Sequence, residues 1–187
     1  METTPHKTKI RTLDMAYMAL FAVLMAVCSW ISLPLGPVPF TLQTFAVFLA
    51  VGVLGGRRGT ITILVYILMG AVGLPVFSNF SGGIGQLMGA TGGYILGFLG
   101  SALVMWAIEA LLGKKTWVRA VSMVLGLVVC YAFGTFWFMQ VYARTSGPVG
   151  VMAALGWCVF PYILPDLGKI ALALLLGNRL SRVLKLG

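Results

Sequence analysis

Late in the chain the stretch Phe160-Pro161-Tyr162-Ile163-Leu164-Pro165-Asp166-Leu167-Gly168-Lys169-Ile170 sets an acid and a base three residues apart inside an apolar run. On a helix, residues at i and i+3 share a face, so the carboxylate and the ammonium reach the same environment. One charge at bilayer depth costs roughly 2.5–3.5 kcal/mol on insertion scales, so two together require partners or a task. A mutually neutralised structural ion pair is one reading. A ligand site facing a cavity is the other, and it is favoured because neither residue has another evident partner in the apolar segments. Pro165 lacks an N–H and suits a helix start, whereas Pro161 disturbs the turn before it. The pair therefore opens the regular part of the last segment or follows a break in it.

The elements that must position this pair are membrane helices. Of the 187 residues, 60% are apolar and 9% charged, and the mean hydropathy is +1.01, leaving too little polar surface to cover a water-facing globule. The net charge of +9 is spread in twos and threes between apolar runs, without an aromatic-basic surface, and so reads as membrane topology rather than nucleic-acid binding. The run from Leu13 to Leu35 is too long for the apolar part of a signal peptide and has no small-residue cleavage site, while Val27 spoils a lipoprotein box before Cys28. It reads as a retained span.

Apolar runs between charges and Gly/Pro clusters predict six spans, at about 13–33, 40–55, 58–74, 91–113, 118–143 and 150–178, with the second and third short. The fold class is all-α, a compact six-helix membrane bundle forming one substrate-binding domain over residues 1–187. Lys7, Lys9, Arg11, Arg57, Arg58, Lys114, Lys115, Arg119, Arg179, Arg182 and Lys185 fall on one side of this arrangement, and the opposite connections carry only Arg144. The bias places both termini in the cytoplasm. The outer connections are then 32–39, 75–90 and about 142–149.

The middle outer connection, running on to Gly93, is rich in glycine and without charge. Glycine admits close backbone approach to a ligand or helix, and free N–H groups near a helix start receive anions; a flexible re-entrant loop is the plainer alternative. No Gly-Lys-Ser/Thr follows, so it is no nucleotide site, and any dependence on ATP requires another subunit. Glu109 and Asp14 read as interfacial side chains beside Lys114, Lys115 and Arg11, and His6 as solvated. Cys28, Cys130 and Cys158 are scattered singly and read as buried thiols.

In the first span Ala22 and Ala26 make a small-residue strip, with Met18 a turn earlier, which fits either an internal seam or a face where a subunit docks. Phe40, Gln43, Tyr94 and Trp137 lie near outer span ends, where aromatics commonly form an interfacial belt but, with the Gly-rich loop, can also wall a small cavity. There is no Ser/His/Asp set, no H-E-x-x-H, no metal-ligand spacing and no acid pair suited to hydrolysis, so an enzyme is not expected.

The motifs Val38-Pro39-Phe40-Thr41-Leu42-Gln43-Thr44, Gly70-Ala71-Val72-Gly73-Leu74-Pro75-Val76-Phe77, Ser81-Gly82-Gly83, Thr91-Gly92-Gly93-Tyr94-Ile95-Leu96-Gly97-Phe98 and Pro165-Asp166-Leu167-Gly168-Lys169 occur in order, and the chain from about 13 to 178 resembles the BioY family. These are biotin-binding S components of energy-coupling factor (ECF) transporters. The resemblance implies a six-helix protein in the cytoplasmic membrane of a prokaryote. Such a protein captures biotin outside, docks through the strip of its first helix onto a transmembrane coupling subunit bearing a pair of cytoplasmic ATPase subunits, and topples to deliver its load. It implies no cofactor of its own. It also maps binding roles onto Asp166, Lys169 and Asn79.

Biotin offers a ureido group with N–H donors and a carbonyl, an apolar sulfur ring and a carboxylate tail. A desolvated Asp166 can accept a ureido N–H, and Asn79 can donate or accept. Lys169 either holds Asp166 ionised or meets the carboxylate, Gly82 and Gly83 supply backbone donors, and Phe40, Tyr94 and Trp137 supply apolar wall. The competing functional reading is an autonomous secondary biotin transporter in which Asp166 changes protonation. The lack of a chain of intramembrane acids and of an evident inverted repeat argues against it.

Overall fold

A computed structural model describes residues 11–184, apart from the side chain of Arg182. His6, Lys7, Lys9 and Lys185 lie outside the described residues. The order is α1 (Thr12–Trp30), β1 (Ser32–Leu33), β2 (Phe40–Thr41), α2 (Gln43–Leu54), α3 (Gly56–Ala71), α4 (Ile84–Met88), α5 (Gly92–Leu112), α6 (Thr116–Thr145), α7 (Val151–Cys158) and α8 (Ile163–Val183). Single 3₁₀ turns occupy Ser78–Phe80 and Phe160–Tyr162.

Helices fill the expected spans, with two differences of length. Helices α1, α5 and α6, and the broken segment Val151–Ser181, are long and apolar enough to cross a membrane. At 12 and 16 residues α2 and α3 fall below the roughly 20 a crossing requires. They are joined through Gly55 alone, at φ +80°, and their backbones nearly touch: a Cβ on Gly59 would stand 2.6 Å from the Cα of Val51. Helix α2 is apolar all round and buried along almost its whole length, packed on α1, α3, α5 and α8. A short helix is tolerated at membrane depth where protein surrounds it.

The tightest seam runs between α5 and α6. A Cβ on Gly93 would sit 2.2 Å from Trp137, and one on Gly134 would sit 2.3 Å from the Tyr94 ring. The Ser101 hydroxyl donates to the carbonyl of Gly126 at 2.6 Å. Small residues let these backbones close together, as membrane helices without a hydrophobic drive between them require.

Of the two roles open to the strip of Ala22 and Ala26, burial favours the internal seam over the docking face that the family resemblance implies. At 2% and 4% exposure they lie inside the core, and Met18 is partly buried against it. The strip is an internal seam that sets α1 against α2 and α3. The face of α1 left open carries Leu20, Val23 and Val27 instead.

Asp14 is buried, at 4% exposure, paired with Arg58 at 3.1 Å and accepting the backbone N–H of Arg11. Glu109 accepts the N–H of Gly56 at 2.7 Å and meets Lys114 at 3.6 Å. Arg119 donates to Asn178 at 3.3 Å. These ties gather the start of α1, the α2–α3 and α5–α6 turns and the end of α8 at one pole of the bundle.

Candidate functional site

The opposite pole holds a partly enclosed cavity lined from the β1–β2 hairpin, α2, α5, α6 and α8. Its position follows from local breaks in the helices. Pro161 sits in the 3₁₀ turn that separates α7 from α8, and Pro165 lies in the first turn of α8. The carboxylate and ammonium thus emerge as the regular helix begins and face inward, at 4% and 7% exposure.

The pair is direct. Lys169 Nζ donates to Asp166 Oδ1 at 2.6 Å and to the Thr41 carbonyl at 2.6 Å, and it stands 3.8 Å from the centre of the Phe40 ring. Tyr131, from α6, donates its hydroxyl to Asp166 Oδ2 at 2.5 Å. Each Asp166 oxygen therefore holds a protein donor. Of the three ammonium hydrogens, two have oxygen acceptors and the third is left to the ring face, the favourable side for a cation. Burying such a pair is tolerable only with these added bonds.

The β1–β2 hairpin supplies this end of the cavity. Tyr162 donates to the Val38 carbonyl at 2.6 Å and stacks on Phe40, so the segment after the helix break fastens the hairpin in place. On the far side Tyr94 shares a hydrogen bond with Thr135 at 3.0 Å, while Ile95, Phe98, Leu127, Cys130 and Cys158 form an apolar floor. Gln43, 4% exposed, opens α2 beside Thr44, and Ser78 comes from the Gly-rich loop. The site combines one charged corner, an apolar floor and isolated polar groups.

Of the residues assigned to substrate by sequence, Asp166, Lys169, Phe40, Gln43 and Tyr94 line the cavity. Asn79, Gly82, Gly83 and Trp137 do not. Asn79 adopts the left-handed conformation at φ 57° and is exposed; the loop offers the cavity Ser78 and Thr91 instead. The N–H of Gly83 is spent on the Gly70 carbonyl at 2.7 Å, and Gly82 presses on the Leu74 carbonyl, where a Cβ would come within 2.2 Å. Trp137 covers Gly93 and donates its indole N–H to Gly89 at 3.1 Å, bracing the loop from outside. The loop is not a slack re-entrant segment. Phe77 is fully buried over Gly70, and the Val76 carbonyl accepts hydroxyls from Ser29 and Tyr66, each at 2.7 Å.

Tyr131 was missed by sequence reasoning. The available signal is a phenol in mid-span, since a buried Tyr hydroxyl needs a partner; which partner emerges only when α6 packs on α8.

The sequence model of the BioY family matches residues 3–186. The chain belongs to the BioY family. Among its BioY relatives, a protein named as the biotin transporter BioY of Thermotoga maritima is 42% identical over 88% of this chain and 93% of its own length. A probable biotin transporter BioY of Pyrococcus horikoshii is 40% identical over 90% and 96%. The crystal structure of the S component for biotin from an ECF-type ABC transporter superposes with a TM-score of 0.80 at 22% identity, covering 90% of each chain. The BioY fold is therefore an S-component fold.

Proposed function

We propose that this protein captures biotin from outside the cell and carries it across the cytoplasmic membrane of a prokaryote as the S component of an ECF transporter. Its partners in this reading are biotin, membrane lipid, a transmembrane coupling subunit and a pair of cytoplasmic ATPase subunits. The observation that carries it is the charged corner of Lys169, Asp166 and Tyr131 at one end of a cavity with an apolar floor. The names and bacterial or archaeal sources of the relatives support the substrate and the membrane. The basic pole, opposite the cavity, supports cytoplasmic termini and an outward-facing site. In this topology α2 and α3 complete a six-helix arrangement as short helices wrapped by their neighbours.

The chemistry suits biotin. Its carboxylate takes the ammonium hydrogen now turned to Phe40, and Asp166 with Tyr131 holds Lys169 in place. A charge-assisted bond in such a dry site is about twice as strong as a neutral one. The sulfur ring rests on the apolar floor.

Titration of the purified protein with biotin, followed by tryptophan fluorescence or calorimetry, tests the proposal. Asp166→Asn and Lys169→Ala each strand one buried charge, which costs about 3–5 kcal/mol of stability, so both are expected to melt lower and to bind biotin at least about a hundredfold more weakly. The double variant Asp166→Asn with Lys169→Met strands no charge; it is expected to recover the fold but not the binding. Unchanged affinity in the double variant would remove the pair from the site, and no binding by the parent would remove biotin as substrate.

A further inference from the structure

Gln43 forms part of the cavity wall, yet nothing on the wall itself decides which end of its carboxamide meets a ligand. The decision is made one layer behind. Tyr66 is fully buried, does not line the cavity, and lies 2.7 Å from the Val76 carbonyl and 2.7 Å from the Gln43 side-chain nitrogen.

Two oxygens 2.7 Å apart need a proton between them, and a carbonyl has none. Tyr66 therefore donates its one hydrogen to Val76, and its oxygen can only accept from Gln43. The NH₂ end of the carboxamide is thereby turned inward. Ser29, fully buried on α1, also reaches the Val76 carbonyl, at 2.7 Å, but it cannot supply the proton that the Tyr66–Val76 contact requires. The Gln43 oxygen has no protein donor, and no fully buried side-chain polar atom lacks a partner among the described residues. That oxygen is accordingly open to the cavity.

We propose that Tyr66 is a positioning residue that fixes the Gln43 carboxamide with its oxygen toward the ligand, making this wall select for a ligand N–H. The inference rests on the biotin reading above and deepens it: the group recognised is one N–H of the cyclic urea. A carboxamide free to rotate would accept a donor or an acceptor alike. One held by Tyr66 discriminates between them, because a ligand oxygen placed against the Gln43 oxygen would leave two acceptors facing each other.

The test compares biotin with its two cyclic carbamate analogues, in each of which one ureido N–H is replaced by a ring oxygen of similar size. The parent is expected to bind biotin at least about tenfold more tightly than one of the two analogues, the usual scale for leaving a buried acceptor unpaired. In Tyr66→Phe, where the one Ser29 hydrogen, within reach of the Ala26 and Val76 carbonyls at 2.7 Å each, is available to Val76, that ratio is expected to fall below about threefold, and Gln43→Leu is expected to abolish it. Melting temperatures in detergent establish that each variant is folded. A Tyr66→Phe protein that loses affinity for biotin and both analogues by one common factor, or that keeps the parental ratio, overturns the proposal. A parent that binds biotin and both analogues equally overturns it too. A parent that binds none of the three instead overturns the substrate itself.

Discussion

Lys169, Asp166 and Tyr131 show how a membrane interior holds two charges without breaking the fold. Each Asp166 oxygen has a donor, and the ammonium is divided between a carboxylate, a backbone carbonyl and an aromatic face. The acid and base were legible in the sequence from type and spacing alone, because a 3.6-residue period puts i and i+3 together. The phenol was not, because 35 residues separate Tyr131 from Asp166 and only helix packing joins them. Tyr131→Phe removes one hydrogen bond to a buried charge and leaves the ring in place. It is expected to lower stability by about 1.5–3 kcal/mol and to weaken biotin binding through a less firmly held Lys169. Chemical denaturation alongside a biotin titration checks both, and a variant matching the parent in both would show that the phenol contributes nothing to holding the pair.

At the scale of elements, hydropathy located the helices to within a few residues, since long apolar runs bounded by charge leave little choice. What it left open was which small residues make which seam. Ala22 and Ala26 and the pair Gly93 and Gly97 have the same four-residue spacing, and spacing alone does not say what faces them. The glycines draw α5 onto Trp137 and Cys130, and the alanines draw α1 into the core. The loop from 72 to 91 was legible as special but not as what it is. Gly82 packs on the Leu74 carbonyl and Gly83 gives its N–H to the Gly70 carbonyl, so both serve the loop's own fold, and Gly92 at the start of α5 packs on Leu87. From this, Ala22→Leu and Ala26→Leu are expected to overpack the interior at a cost of about 1–3 kcal/mol each, lowering the melting temperature and biotin binding together. Val23→Leu, on the open face of the same helix, is expected to change neither. Stable alanine variants that still bind biotin would return the strip to the surface.

The whole molecule is polarised. Buried and half-buried ties of Asp14, Glu109, Arg58 and Arg119 hold one pole, and the cavity occupies the other. A proton-driven carrier needs an acid that can exchange its proton with both sides during the cycle. Asp166, however, is locked by Lys169 and Tyr131, and the other two acids among the described residues, Asp14 and Glu109, are tied up at the far pole. No relay of acids joins the two. In the proposed reading the work of moving biotin comes from outside the chain, from the ATPase partners of an S component. Vesicles containing this protein alone, with a proton gradient and labelled biotin, are expected to bind biotin without concentrating it. Vesicles that also contain the coupling subunit and the ATPase pair, supplied with ATP, are expected to accumulate it. Accumulation driven by the gradient in the absence of partners would mean that Asp166 does exchange its proton, and that the locked pair is one state of a cycle the chain completes unaided.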